Sequence, residues 1–364
     1  MRYLLRIIIS GIILIAVCNN VSAQQMELSN KNASREAKAL YSYIQAMYGH
    51  KMLAGQMTSN WGSFDELKYL KDSTDKQPAI RGLDFIDSNK NEREVKFAKK
   101  WWRKGGIPTI MWHWGAPAIG SGYENTKKEV DIDKVFQYGT PENIAFWKEL
   151  DEKAKLLEKL KRRHIPVLWR PFHELNGSWF WWGKKGPAQF KRLWITMYNY
   201  YVHEKHLDNL IWVLCYADKP DSAWYPGRQY VDIAGADTYQ TEDKVPRLAM
   251  YDGVRSIVGD TLPIAMHECG IPPDPEKSFA EGVKWSWFME WHTNFLTKVP
   301  VQQLRAVYNS DLVITLDKVP DIMKVYGGAR PTLWRRVRNF FDTLSIKRPF
   351  HLTGPRKTSY LPGQ

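Results

Sequence analysis

Two glutamates stand where chemistry is expected. Glu174 lies in the segment Trp169-Arg170-Pro171-Phe172-His173-Glu174-Leu175-Asn176-Gly177, and Glu268 lies in Met266-His267-Glu268-Cys269-Gly270. Each follows an apolar run, so neither belongs to a solvated helix face. A pair of carboxyls at two strand ends suits cleavage of a glycosidic bond. That reaction needs one group protonated, to release the leaving oxygen, and one ionised, to attack or to activate water. Burial among apolar rings raises a carboxyl pKa, and hydrogen-bond donors lower it. Trp179, Phe180, Trp181 and Trp182 follow Glu174 and are expected to help keep it protonated, with about half of these rings packing on helices instead. Tyr239 is placed to donate its hydroxyl to Glu268. A strand-end glutamate also pairs with arginine for structural reasons alone, and Arg170 stands close to Glu174.

Other chemistries fit less well. There is no GxSxG turn for a serine nucleophile, and His173-Glu174 lacks the HExxH continuation of a zinc protease. His113, His173 and His267 form a conceivable metal trio, but strand alternation is expected to turn His267 away from the side of Glu268. The chain holds 17 Trp, 18 Tyr and 14 Phe, 13% aromatic. Such rings pack against the flat C–H faces of sugars, whose hydroxyls take polar partners.

The elements that position these groups repeat along the chain. Short apolar runs occur at Lys51–Gln56, Pro78–Phe85, Ile107–Trp114, Ile165–His173, Asn209–Ala217, Val231–Tyr239, Leu262–Gly270 and Lys284–Trp291. Near-continuous apolar runs suit parallel strands covered on both faces. Amphipathic segments lie between them, the clearest from Pro141 to Arg163, with Thr140 as N-cap and Pro141 in the first turn. Another spans Pro187 to about Lys205, and a first helix covers Arg35 to Met47. Eight such units predict an α/β fold, a (β/α)8 barrel in one catalytic domain over residues 24–327. A doubly wound sheet normally has fewer strands. Polar and aromatic residues close the runs: Gln56, Asp84, His113, Glu174, Tyr216, Tyr239, Glu268 and Trp291. In a barrel those ends line the face where active sites are built. Met111 and Met289 are expected in the core.

The chain has 364 residues and 52 Lys+Arg against 39 Asp+Glu, a net charge of +13. From Gly328 to Gln364 there are eight Lys/Arg and one acid, Asp342, so over half the excess sits in a basic tail, residues 328–364. The body is nearly balanced and lacks a zinc-finger spacing or a GxGxxG, so nucleic acid is not an expected partner. Residues 1–23 have the form of a signal peptide: Arg2 and Arg6, the apolar run Ile7–Val17, then Val21-Ser22-Ala23 before a cleavage site. Export follows, to periplasm or medium, and no stable membrane span is expected after cleavage. Acylation at Cys18 is the alternative, although Val17 before it is a poor fit. Cys215 and Cys269 then remain, expected as buried free thiols.

The segment WRPFHELNGSWFWWG (Trp169–Gly183) resembles the acid/base motif of glycoside hydrolase family 26, the β-mannanases. GADTY (Gly235–Tyr239), the HECG around Glu268, LAGQ (Leu53–Gln56), RGLD (Arg81–Asp84) and MWHW (Met111–Trp114) resemble further blocks of that family, from about Lys51 to Asn309. The resemblance implies a (β/α)8 barrel and a retaining double displacement, with Glu174 as proton donor and acid/base and Glu268 as nucleophile. It implies that His173 helps orient the site and that Tyr239 hydrogen-bonds the nucleophile. It also implies that His113, Trp179, Asp237 and Trp291 line sugar subsites, Trp285 and Trp287 being rivals for the place of Trp291. No metal and no cofactor is implied. The expected partner is a polysaccharide, β-mannan, cleaved by a monomer in endo fashion. A mixed-linkage β-glucan or β-1,3-xylan hydrolase on the same barrel is the alternative, and a sugar-binding module without turnover is the rival from another class.

Overall fold

The computed structural model describes residues 27–60, 64–240, 247–260 and 262–328. The proposed leader 1–23 with Cys18, and the basic tail from residue 329 onward, lie outside the described residues. Among the described residues no helix is long and apolar enough to cross a membrane.

Eight strands form a closed parallel barrel: β1 (Met52–Met57), β2 (Ile80–Asp84), β3 (Ile107–Trp112), β4 (Val167–Pro171), β5 (Leu210–Tyr216), β6 (Ile233–Thr238), β7 (Ile264–Cys269) and β8 (Trp287–Glu290). β8 pairs with β1, Gln56 opposite Glu290, and this closes the ring. A short β9 (Val313–Ile314), not expected from the sequence, adds to the start of β1 on the edge away from β8. The strands match the eight apolar runs; seven are shorter at their C-terminal ends, and β1 runs one residue past Gln56. β4 stops at Pro171 because Phe172 takes a left-handed backbone, φ 51°. That leaves His173 and Glu174 on a loop above the strand rather than in it.

The helices surround the barrel: α1 (Arg35–Met47), α2 (Glu66–Thr74), α3 (Asn91–Arg103), α4 (Pro141–Lys161), α5 (Pro187–Asn199), α6 (Leu248–Val258), α7 (Pro275–Ala280) and α8 (Val301–Asn309). The Thr140 side chain accepts from the Asn143 amide at 3.2 Å, and Pro141 opens α4, as the sequence predicts. α5 continues into a wider turn, Tyr200–Glu204, so the helical path ends at Lys205. Two apolar layers result. One lies between strands and helices. The other fills the barrel interior with Leu53, Ile80, Ile107, Leu168, Ile211 and Ile233, and Leu40 and Ile44 of α1 belong to the same cluster. Met111 and Met289 sit in this inner layer.

One irregularity shapes the top of the barrel. β6 and β7 pair as Ala236 with Met266 and then Asp237 with Glu268, so His267 is skipped. This bulge breaks strict alternation. His267 therefore turns inward, contrary to the expectation from alternation, and occupies the space beneath Arg170, beside Trp287 and Met289. Gly235 permits the arrangement: a Cβ there would meet the Ala265 carbonyl at 1.8 Å and the His267 ring at 2.6 Å.

Candidate active site

The C-terminal ends of the strands enclose a cavity of about 330 Å3. Glu174 and Glu268 both line it, with His113, His173, Tyr239 and Trp291 around them. An oxygen from each of Glu174, Asp237 and Glu268 lies within 4.8 Å of the others.

Glu268 is held from two sides. Arg170, inside β4, donates to its Oε1 at 2.6 Å, and the Tyr239 hydroxyl donates to its Oε2. A carboxylate accepts both bonds, and the guanidinium balances its charge. Arg170 thus serves Glu268 and not its sequence neighbour Glu174. Its other branch donates to Asp237 at 3.2 Å. Asp237 also accepts from the Cys215 thiol at 3.0 Å, its carboxyl is fully buried, and it does not line the cavity. Arg170 and Cys215 hold Asp237 beneath the cavity floor, where the resemblance implies a sugar subsite. Burial and the charge of Glu268 push Asp237 up, against the pull of Arg170.

Glu174 is held differently. Its backbone is left-handed, φ 50°, and the loop is pinned from several sides. Leu175 N–H donates to Cys215 O at 3.1 Å, and the Trp182 indole donates to His173 O at 2.9 Å. The carboxyl accepts from the Trp179 indole N–H at 2.6 Å. Burial first, and then the nearby charge of Glu268, push Glu174 up to about 7, while the Trp179 bond pulls it down. The aromatic run divides its labour. Trp181 and Trp182 are buried, the former donating to Trp114 O at 2.8 Å, and Phe180 lines the cavity. Trp179 is 42% exposed at the rim.

His113 and His173 meet edge to face, Nε2 to Nε2 at 3.1 Å. Asp84 anchors His113 through Nδ1 at 2.5 Å and through its backbone N–H at 3.0 Å. Burial pushes His113 down, but the Asp84 carboxylate outweighs it and the net shift is up. Burial and the His113 charge push His173 well down. His267 bonds instead to Leu214 O at 3.2 Å, so the conceivable histidine trio is not assembled. Trp291 lines the cavity 6.1 Å from the Tyr239 ring, whereas Trp285 and Trp287 are buried. Cys215 and Cys269 are buried free thiols.

Several cavity residues escape sequence reasoning. Asn60 and His292 come from loops and Tyr123 and Phe295 from helices of only four and five residues, too short for periodicity to show, and only spatial closure brings them in. Glu290, fully buried at the end of β8, meets the Cys269 thiol at 3.6 Å and is pushed well up by burial.

Opposed carboxyls across an aromatic-rimmed pocket on a (β/α)8 barrel define the class of the glycoside hydrolases. The sequence matches the model of glycosyl hydrolase family 26 over residues 29–318, and the chain belongs to that family. It is similar to a mannan endo-1,4-β-mannosidase of Thermothelomyces thermophilus, 34% identical over 312 residues, 80% of this chain and 63% of that protein. Mannan endo-1,4-β-mannosidase B of Piromyces sp is 30% identical over 311 residues, 80% of this chain and 53% of that protein. The chain thus spans between half and two thirds of the length of these curated relatives. Among solved structures it resembles a β-mannanase from a symbiotic protist of the termite Reticulitermes speratus complexed with gluco-manno-oligosaccharide. That match has 32% identity and a TM-score of 0.74, covering 81% of this chain and 97% of that one.

Proposed function

We propose that this protein is an exported, monomeric endo-acting hydrolase of β-1,4-mannosidic bonds in mannan, glucomannan or galactomannan, working with retention. The observation that carries the reading is the pair Glu174 and Glu268, with oxygens within 4.8 Å and unequal surroundings. Retaining enzymes place their carboxyls about 5–5.5 Å apart, and inverting ones leave roughly 6.5–9.5 Å for a water. In the first step a Glu268 oxygen attacks the anomeric carbon as the glycosidic C–O bond breaks. Glu174 gives its proton to the departing oxygen, and a glycosyl ester remains on Glu268. In the second step Glu174, now a carboxylate, takes a proton from water. The water oxygen attacks the anomeric carbon, the ester bond breaks, and Glu268 leaves as carboxylate. Arg170 and Tyr239 aim Glu268, and His113 orients His173 against the sugar. Trp179 and Trp291 offer ring surface on either side of the cleaved bond. The names of the relatives support mannan as substrate, and the leader-like residues 1–23 support export.

The test is hydrolysis of linear manno-oligosaccharides, with the first-formed anomer followed by NMR. Retention and internal cleavage are expected. An α-configured first product contradicts double displacement, and release of mannose from one end alone contradicts endo action. Faster cleavage of lichenan or β-1,3-xylan than of mannan assigns the barrel to another substrate.

A further inference from the structure

Two neighbouring helices of the ring, α2 and α3, pack on other partners rather than on each other. α2 packs on α8 and α3 packs on α4. Between α2 and α3 lies a cleft of about 750 Å3, and it shares Thr58 as a common wall with the catalytic cavity. Arg81 reaches into it from β2. The guanidiniums of Arg81 and Arg93 lie over Phe97 of α3, at 4.2 and 5.7 Å from the ring centre.

The positive groups here are only partly used. Arg93 is engaged, donating to the backbone and side-chain oxygens of Asn60 at 2.5 Å each. Arg81 donates from Nε to Thr58 Oγ1 at 3.2 Å, and among the described residues its two terminal nitrogens meet no acceptor. Lys100 has no ion-pair partner among the described residues, and Lys104 reaches the Gln77 amide oxygen. Glu94, Asp65 and Glu66 lie near enough to act on Arg81 by charge, but none hydrogen-bonds its terminal nitrogens. Asp72 pairs with Lys68, Asp65 caps the first turn of α2, and Glu66 accepts from the Thr293 amide. Burial pushes Glu66 up and takes Glu94, beside Arg93, to about 7, which weakens the negative side further.

We propose that this cleft binds the carboxylate of an acidic saccharide, with Arg81 as the fork, Lys100 and Lys104 as flanking cations, and Phe64 and Phe97 as apolar borders. A planar guanidinium meets a carboxylate through two parallel hydrogen bonds, which a lysine does not. Aromatic edges match the C–H faces of a sugar ring. The anion preference rests on the cleft alone. The choice of a saccharide rests on the reading of the neighbouring cavity as a polysaccharide site, from which Thr58 alone separates the cleft.

Calorimetry with the full chain and an oligogalacturonate probe tests this, with hydrolysis of linear manno-oligosaccharide measured in parallel. Binding is expected to weaken at least tenfold in Lys100→Glu/Lys104→Glu and in Arg81→Gln, with mannan hydrolysis unchanged. The lysine pair is on the surface and keeps the test valid if Arg81→Gln fails to fold. Affinity for polyglutamate of equal charge that matches oligogalacturonate overturns the saccharide assignment. Absence of binding to either overturns the anion site, and binding untouched by the lysine pair places it elsewhere. If oligogalacturonate binds and mannan is not cleaved, the proposed function falls and the cleft stands.

Discussion

Glu174 and Glu268 are the same residue type, a few ångströms apart, with opposite support. Glu268 sits in the last turn of the pleat, between an arginine and a tyrosine that both donate to it. Glu174 sits on a loop beyond its strand, with one indole donor and an apolar surround that pushes it to about 7. The difference teaches that strand interior and strand-end loop are distinct tools. Inside the strand, neighbours one pleat away supply fixed charge, which suits a group that must stay ionised. On the loop the side chain escapes those partners while remaining among rings, which suits a group that must hold and release a proton.

The strongest way to break this pairing is to remove the group held by charge. Glu268→Ala is expected to lower kcat on linear manno-oligosaccharides by on the order of 10⁴-fold or more. Retention of a tenth of the activity would end the assignment. Glu174→Gln should lower it by about 10²–10⁴-fold on mannan, and much less on aryl mannosides whose leaving group needs no proton. In the parent enzyme the rate should fall as pH rises through about 7, because Glu174 then loses the proton it must donate. The sign for stability is the same. Glu174 is raised above its ordinary 4.5, so its contribution is fully present below about 4.5 and is lost as pH rises through about 7. Glu174→Gln should therefore gain on the parent at pH 8, by on the order of 2 kcal/mol, and not at pH 4, as melting curves at both pH values would show.

Arg170→Met strips the cation from Glu268 and Asp237 together and should cost about 3–5 kcal/mol of fold stability by denaturant titration. A neutral outcome would mean that Arg170 aims nothing. The smallest effect sharpens the contrast most. Trp179→Phe deletes a donor that pulls Glu174 down, so the alkaline limb of the pH profile should move to higher pH by a fraction of a unit. Movement to lower pH would show that the indole acts on some other group.

Much of this arrangement was legible in the chain, and the reason is periodicity. Eight apolar runs ending in polar residues place Asp84, His113, Tyr239 and Glu268 on one face without any coordinates. The Tyr239 bond to Glu268 follows from adjacent strand ends. What stayed hidden depends on departures from regularity. The bulge at His267 turns that residue inward and carries Glu268 to the same side, which alternation forbids. Arg170 reads as a partner for nearby Glu174, yet position 170 points into the barrel while 174 has left the strand, so its partner lies across the ring. Asp237 follows Arg170 below the cavity floor for the same reason. Tyr123, His292 and Phe295 belong to a loop and two single-turn helices whose paths no local pattern sets.

The two left-handed residues around His173, Phe172 at φ 51° and Glu174 at φ 50°, have a practical consequence. Each side chain at such an angle holds on the order of 1 kcal/mol of backbone strain, which glycine would relieve. A screen for heat tolerance alone would thus reward Glu174→Gly, a change that the proposed acid/base role expects to abolish turnover. Selection for durability in this protein has to be coupled to a catalytic readout, or it will harvest sturdy and inert barrels.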